Sequence, residues 1–116
     1  KPYDSRCRIE IMGGLNRPPM ERSPGTMKLF RLARELAAEI GVELEESTSG
    51  GGSDGNFTAA LGVPTLDGLG AVGEGAHAEN ESVLVERIPE RVALLAGLLE
   101  QVGNRELEPQ GVRQRA

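Results

Sequence analysis

Glycine is distributed unevenly along this chain, and its distribution limits what the middle of the chain can fold into. Nine of the sixteen glycines lie between Gly50 and Gly75. Because glycine loses more backbone freedom on folding than other residues and weakens helices and strands, a segment this rich in glycine favours turns and loops. Most of the regular structure must therefore come from the sequences on either side.

Two segments flanking this middle have the period of an amphipathic helix. From Thr26 to Ile40, apolar residues recur every three or four positions, charged residues occupy the opposite side, and Gly41 follows. A second segment opens near Pro89, since proline is well suited to the first turn of a helix. Its predicted apolar stripe consists of Val92, Leu95, Leu99 and Val102. We therefore expect two amphipathic helices.

Shorter segments predict strands and a small helix. Residues 6–12 alternate between apolar and charged side chains, which is the period of a half-buried strand. Further short strands are predicted over residues 42–49 and 63–66, with a short helix over 57–61 between them. Aromatic residues make up only 3% of the chain, so its core must be aliphatic, which suits helices packed on a sheet. The sequence predicts an α/β fold.

The first predicted strand has no partner nearby in the sequence. Gly13 and Gly14 end it, and a proline-rich connector between Arg17 and Gly25 follows. A single strand leaves unpaired backbone groups along both edges, which soluble proteins normally pair or cover. We therefore expect its partners to come from upstream sequence or from a second copy of the chain.

Charge and composition exclude several classes of partner. The net charge is −5 and the basic residues are scattered among acidic ones, so the chain lacks the basic face of a nucleic-acid-binding protein. A single cysteine, Cys7, excludes an internal disulfide and a site of several thiolates. No apolar run approaches the ~20 residues that span a membrane. We expect a cytoplasmic protein, although the chain opens with Lys1 and an export signal could precede it.

The segment Ser49–Asn56 contains four glycines among small and polar residues. Such a segment can aim several backbone N–H groups at an anion, although a flexible linker has the same composition. Gly50, Gly52 and Gly55 also have the spacing of a dinucleotide-binding fingerprint. That fingerprint needs a full helix after the glycines, and Pro64 follows too soon for one. An anion-binding loop and a flexible linker both stay open.

His77 is the only histidine in the sequence. A lone histidine is most often a surface or core residue without a catalytic role. Small neighbours leave this imidazole accessible, and Glu79 and Glu81 could orient it by hydrogen bonding, or could simply form a solvated acidic turn. Because a catalytic zinc typically takes three protein ligands and a water, His77 cannot build such a site alone.

Four blocks of the sequence resemble, in order and spacing, a known group of zinc enzymes. They are Gly14–Met20, Gly50–Asn56, Gly62–Gly70 and Gly73–His77. They are similar to the C-terminal part of the glutamate carboxypeptidase branch of the aminoacylase, acetylornithine deacetylase and succinyl-diaminopimelate desuccinylase superfamily. The resemblance covers the chain from about residue 6 to residue 102. One departure is Ala78, which stands where relatives commonly carry a serine.

The resemblance implies a division of the chain into four parts. Family members have a two-zinc catalytic α/β domain interrupted by a smaller lid domain that also dimerises. Residues 1–16 would then be the last strand of the lid, and residues 17–25 the hinge back into the catalytic domain. Residues 26–103 would form the C-terminal part of that domain, a mixed sheet flanked by helices, and residues 104–116 a disordered tail. A homodimer is one expected assembly.

The resemblance also implies roles for individual residues. His77 looks like a ligand of one of the two zinc ions, and Arg17 like the arginine that binds the substrate carboxylate, with a surface or hinge ion pair as its alternative. The backbone of Gly51, Gly52 and Ser53 would face the substrate. Supporting roles, in ordering the loop or orienting the histidine, are implied for Asp54, Glu79 and Glu81. The other zinc ligands and the general base lie in the family's N-terminal half, so no catalytic residue is expected in this chain.

The sequence thus predicts a C-terminal segment of a zinc-dependent metallopeptidase that hydrolyses an amide bond of an acyl- or peptidyl-amino acid. Its partners would be that substrate and the missing N-terminal part of the catalytic domain, without which the chain is expected to be inactive. Two alternatives stay open. One is a catalytically inactive remnant or interaction module that lacks the other zinc ligands, and the other, ranked lowest, is a dinucleotide-binding module.

Overall fold

Two long helices pack against each other and form the core of the chain. The computed structural model describes residues 2–104. Helix α1 spans Pro24–Glu39, a short helix α2 spans Gly55–Ala60, and the last helix, α3, spans Ile88–Asn104. Between α2 and α3 lie the strands β1 (Gly73–Glu74) and β2 (Ser82–Val83) and a single 3-10 turn over Val85–Arg87.

Helix α1 begins where the sequence supplies both a cap and a proline. Ser23 Oγ accepts a hydrogen bond from Thr26 N–H at 3.1 Å, and Pro24 occupies the first turn, where a backbone N–H would have no helical partner. The helix ends before Gly41, whose φ of +74° is easily adopted by glycine. The helix predicted over residues 26–40 is confirmed, with a start two residues earlier.

The core between α1 and α3 is small and aliphatic. Ala33 and Ala37 of α1 are fully buried and cluster with Leu94 and Leu98 of α3, which are 2% and 5% exposed. Gly97 of α3 lies so near α1 that an added Cβ would touch a leucine side chain at 3.5 Å. The small residues therefore allow the two helices to approach closely, and the leucines fill the space that remains between them.

Helix α3 buries a different face from the predicted one. Of the predicted stripe, Val92, Leu95 and Leu99 are 61%, 43% and 67% exposed, and only Val102 packs against the core. The buried residues are instead Leu94 and Leu98. Because apolar side chains occupy more than one face of this helix, the period alone could not decide which face meets α1.

The strands predicted over residues 6–12, 42–49 and 63–66 do not form in the described part of the chain. A strand requires a neighbour for its backbone hydrogen bonds, and these segments find none among residues 2–104. Val42 and Leu44 nevertheless pack against the helical core, so the second segment is placed by its side chains. The larger mixed sheet and the lid strand stay predictions.

A short hairpin, which the sequence did not reveal, begins at the end of the glycine-rich middle. Strands β1 and β2 pair antiparallel, with Gly73 opposite Val83 and Glu74 opposite Ser82. A Cβ at Gly73 would collide with the Ser82 carbonyl oxygen, so the close pairing depends on glycine. The helix predicted over residues 57–61 is confirmed as α2. Helices beside a small antiparallel sheet agree with the predicted α/β class.

Many apolar side chains remain exposed outside this core. Ile11, Met12 and Leu15 are 90%, 86% and 84% exposed. The radius of gyration is 19.5 Å, against ~13 Å for a compact domain of this length. The chain therefore buries less apolar surface than a self-contained domain of the same size.

Two further predictions concern the C-terminal tail and membrane-spanning segments. The predicted tail over residues 104–116 lies outside the described residues, except that residue 104 ends α3. Within residues 2–104, no helix combines the length and the apolar character needed to cross a membrane.

Truncation of buried leucines on α3 is expected to destabilise the chain far more than truncation of exposed ones. Leu98→Ala should lower the free energy of unfolding by about 2–5 kcal/mol, because it removes a buried side chain and leaves a cavity. Leu99→Ala, on the 67% exposed face, is the matched control and should cost less than about 0.5 kcal/mol. Urea unfolding followed by circular dichroism measures both, and equal losses would contradict this assignment of the buried face.

Candidate functional site

An open cleft of about 900 Å³ lies between the proline-rich connector, the glycine-rich loop and the start of α1. Arg17, Gly51, Gly52 and Asp67 are among its lining residues, whereas Ser53 and His77 are not. The cleft therefore brings together Arg17 and two of the three loop residues predicted to face a substrate. It does not include the predicted zinc ligand.

Three neighbours hold the Arg17 guanidinium at this cleft. Its Cζ lies 4.8 Å from the centroid of the Phe57 ring, a cation–π contact. Its Nη2 lies 3.8 Å from Asp54 Oδ1, a weak ion pair because that carboxylate is 99% exposed. A Cβ at Gly52 would stand 3.0 Å from Arg17 Cδ, so the arginine passes close to the loop where no side chain obstructs it.

Asp54 does not order the loop in the way an N-terminal helix cap would. It is the residue before α2, but its side chain makes no capping hydrogen bond there. Its carboxylate forms the ion pair with Arg17, and its backbone carbonyl accepts a hydrogen bond from Phe57 N–H at 3.0 Å. The loop-ordering role of Asp54 stays a prediction, and the ion pair with Arg17 is the side-chain contact that agrees with it.

Asn56, which the sequence did not single out, ties the loop to the proline-rich connector. Its Oδ1 accepts a hydrogen bond from Ser53 N–H at 2.8 Å, and its Nδ2 donates to the Pro18 carbonyl at 2.8 Å. Ser53 Oγ in turn accepts from Gly55 N–H at 3.1 Å. These bonds give the segment a defined shape, which favours the anion-binding loop over the flexible linker.

The three amides predicted to face a substrate are not equivalent. Gly51 N–H donates to Ser49 Oγ at 3.1 Å, and Ser53 N–H donates to Asn56. Gly52 N–H has no hydrogen-bond partner within residues 2–104, and Gly52 is exposed at the cleft. Because an unpaired backbone N–H readily donates a hydrogen bond to a ligand oxygen, Gly52 is the amide best placed to bind an anion beside Arg17.

Asp67 is a second residue of the cleft that the sequence did not single out for this site. The Ser53 side chain, and then the Gly68 backbone, hold the pKa of Asp67 below its usual value of 3.8. Both interactions favour the ionised carboxylate, so Asp67 is charged at neutral pH. Asp67 therefore places a negative charge in the cleft, on the segment that leads towards β1.

His77 lies in the loop that joins β1 to β2. Ala78 N–H donates to the Gly75 carbonyl at 2.8 Å, and Glu81 N–H donates to the Ala78 carbonyl at 3.1 Å. The φ of His77 is +67°, a left-handed conformation that costs a non-glycine residue about 1 kcal/mol or more. Such backbone outliers are concentrated at functional sites, so the geometry agrees with a functional role for His77.

The donors present do not fit a complete zinc site. Among the described residues, no group of three or more His, Cys, Asp or Glu side chains converges. Within the same residues, no hydrogen bond joins Glu79 or Glu81 to the imidazole of His77, and both carboxylates are exposed. His77 could supply one ligand, and the others would have to come from another segment of polypeptide. The orienting role of the two glutamates stays a prediction.

The dinucleotide-binding alternative finds no support in this geometry. Helix α2 follows the glycines but ends at Ala60 after six residues. The fingerprint requires a full helix whose N-terminus receives the pyrophosphate and a second strand that carries an acidic residue. Neither is formed in the described part of the chain.

Comparison with known proteins gives one family match. The model for peptidase family M20/M25/M40 matches residues 6–101 of this chain. No solved structure shows significant similarity to this chain.

Several curated proteins are similar to parts of the chain. Carboxypeptidase G2 from Pseudomonas sp. is 30% identical over 100 residues, which cover 82% of this chain and 23% of the relative. Succinyl-diaminopimelate desuccinylase from Xanthomonas campestris is 38% identical over 85 residues, 72% of this chain and 22% of the relative. An uncharacterized protein, YqjE, from Bacillus subtilis is 34% identical over 74 residues, 64% of this chain and 20% of the relative. The chain spans about a fifth of the length of these relatives.

Replacement of Ser53 by alanine is expected to raise the pKa of Asp67 towards 3.8. The pKa of Asp67 is lower in the folded chain than in the unfolded chain, so ionised Asp67 stabilises the fold. This stabilisation is present at pH values above the unfolded pKa and is lost as the pH falls through the folded pKa. An NMR titration of the side-chain carboxyl carbons measures this pKa. Ser49→Ala, in the same loop, is the matched control and should leave it unchanged. An unaltered Asp67 titration in Ser53→Ala would show that the two side chains do not interact.

Proposed function

The chain belongs to peptidase family M20/M25/M40, and from this membership we propose that it is a C-terminal segment of a zinc-dependent metallopeptidase. The whole enzyme would hydrolyse the amide bond of an acyl- or peptidyl-amino acid, as in the glutamate carboxypeptidase branch. This chain would supply the groups that bind the substrate carboxylate and one zinc ligand. The sequence that corresponds to the other four fifths of the relatives would supply the remaining ligands and the general base.

The arrangement of Arg17 and Gly52 at the cleft carries this proposal. A guanidinium offers two parallel N–H donors that match the two oxygens of a carboxylate, and the adjacent Gly52 N–H adds a third donor. The guanidinium lies over the Phe57 ring, and the Arg17 side chain is 32% exposed, so part of it stays accessible to a ligand. The site therefore suits an anionic end group more than a neutral one.

The names of two relatives agree with an anionic substrate. One is a carboxypeptidase and the other removes a succinyl group from succinyl-diaminopimelate. By their names, both act on molecules that carry carboxylate groups. In this proposal the carboxylate of the amino-acid part would bind Arg17, and the amide bond to be cut would lie further along the cleft.

His77 is proposed as the ligand that this chain gives to a zinc site completed by other polypeptide. Zinc, when bound, polarises the amide carbonyl and activates a water molecule. His77 suits the role of a ligand because the hairpin presents an accessible imidazole whose backbone position is fixed by the turn hydrogen bonds. The other residues of this chain would orient the substrate by its carboxylate.

An inactive interaction module remains the second candidate. It is favoured by the lack of three convergent metal donors among residues 2–104 and by exposed apolar side chains such as Ile11 and Leu15. Both proposals require the chain to pack against other polypeptide. They differ in whether Arg17 and His77 act on a substrate and a metal, so substitutions at these residues separate them.

Arg17→Lys is expected to impair substrate binding in a complete enzyme. The test uses a chimera in which residues 6–101 replace the matching segment of carboxypeptidase G2. Loss of the two-pronged carboxylate contact should lower kcat/KM for an acyl-glutamate by about 10- to 100-fold, mainly through KM, because a charge-assisted hydrogen bond contributes about 1.5–3 kcal/mol.

The control for Arg17 is Arg22→Lys. Arg22 also lines the cleft, but its guanidinium is paired with Glu46 at 2.9 Å. Its replacement should change kcat/KM by less than about threefold, as expected for an exposed ion pair. Equal effects of the two substitutions would contradict a specific carboxylate-binding role for Arg17. Hydrolysis of the acyl-glutamate by the 116-residue chain alone would contradict the proposal that the chain is only a segment of the enzyme.

His77→Asn is expected to lower the zinc content of the same chimera by roughly one ion per chain and to abolish hydrolysis. Asparagine tolerates the left-handed backbone of His77, so this change removes the imidazole without straining the hairpin. Metal analysis after dialysis measures the zinc content. Asn80→His, in the same loop, is added to His77→Asn and tests whether an imidazole at another position can replace that of His77. Unchanged zinc content in His77→Asn would favour the interaction module.

A further inference from the structure

Arg91 in the first half of α3 connects that helix to the loop before β1. Its Nε donates a hydrogen bond to the Gly70 carbonyl at 2.8 Å, and its Nη2 donates to the Gly68 carbonyl at 2.7 Å. Both distances are short enough for charge-assisted hydrogen bonds. One guanidinium therefore holds two backbone carbonyls of the same loop, 21 and 23 residues away in the sequence.

The loop that Arg91 holds is part of the candidate site. It begins at Asp67, and both Asp67 and Gly68 line the cleft. Ser53 and the Gly68 backbone lower the pKa of Asp67. Gly68 has a φ of +75°, a conformation that glycine adopts without strain. The backbone dihedral angles at Gly68 therefore set the direction of the carbonyl that meets Arg91 relative to the peptide that joins Gly68 to Asp67.

Geometry at the cleft links α3 to the lining of the candidate site. Arg91 fixes the carbonyls of residues 68 and 70, and Gly68 lines the cleft together with Asp67. In the glycine-rich loop, Ser53 is hydrogen-bonded to Asn56 and Gly55, and the lowered pKa of Asp67 agrees with an interaction with Ser53. Asn56 in turn binds the connector that carries Arg17. Loss of the first contact would loosen a segment that borders the cleft.

We infer that Arg91 is a positioning residue for the carboxylate-binding cleft, which acts by fixing the loop of residues 67–70 against α3. This inference rests on the proposed function for the identity of the ligand. Lysine cannot replace the arginine fully, because a single ammonium lacks the planar fork that reaches two carbonyls at fixed spacing.

The first test measures the loop directly in the 116-residue chain and needs no catalytic activity. Arg91→Met removes both hydrogen bonds and should raise the pKa of Asp67 towards 3.8 in an NMR titration, with Arg91→Lys giving a smaller rise. Arg31→Met, on the exposed side of α1, is the matched control and should leave the titration unchanged. An unchanged Asp67 titration in Arg91→Met would overturn the inference.

The second test measures the cleft in the chimera with carboxypeptidase G2. Arg91→Met should raise KM for an acyl-glutamate by between about tenfold and 100-fold, since displacement of a substrate-positioning group by about 1 Å can cost on the order of 100-fold. The melting temperature is recorded in parallel. A fall in stability with KM and the Asp67 titration unchanged would show a purely structural role and overturn the inference. If the unsubstituted chimera were inactive, the proposed function would fail while the Asp67 titration still decided the role of Arg91.

Discussion

The packing of α1 against α3 is the contact on which the rest of this structure depends. Ala33 and Ala37 let the helices approach closely, and Leu94 and Leu98 fill the space between them. Two parts of the candidate cleft are attached to these helices. The connector that carries Arg17 leads into α1, and the loop of residues 67–70 is held by α3. A small aliphatic core thus sets the distance between segments that are far apart in the sequence.

At the cleft, a glycine is required because it has no side chain, and not only because it allows the chain to turn. Gly52 leaves room for the Arg17 side chain to pass beside the loop, and its own N–H stays free of partners within residues 2–104. Phe57, one of two phenylalanines in the sequence, provides the surface on which the guanidinium lies. A larger residue at position 52 would push the arginine away and cover the free amide. The anion-binding role proposed for the cleft therefore depends on the absence of a side chain at position 52.

The sequence predicted the features that local chemistry decides and missed those that need distant partners. Helix α1, the short helix α2 and the last helix follow from period, capping and proline placement, and all three are confirmed. The buried face of α3 was predicted wrongly, because apolar residues lie on several of its faces and only α1 selects among them. Asn56 and Arg91 are important because they donate hydrogen bonds to backbone carbonyls far away in the chain, which leave no local pattern. Asp67 lines the cleft and interacts with Ser53, 14 residues earlier in the sequence, which leaves none either. The candidate site residues were assigned because they lie in sequence blocks that resemble the family. The sequence alone provided no separate physical reason for the role of each one.

His77 illustrates how a partial site can still be prepared for its task. Its left-handed backbone is held by hydrogen bonds within residues 75–81 and by the pairing of β1 with β2, all of which belong to this chain. The conformational cost is therefore met by local structure before any further polypeptide or metal is added. A ligand that is already fixed loses little additional entropy when it binds a metal. In the role proposed for His77, the fixed backbone would reduce the entropy lost when the imidazole binds zinc, and the remaining ligands would come from other polypeptide.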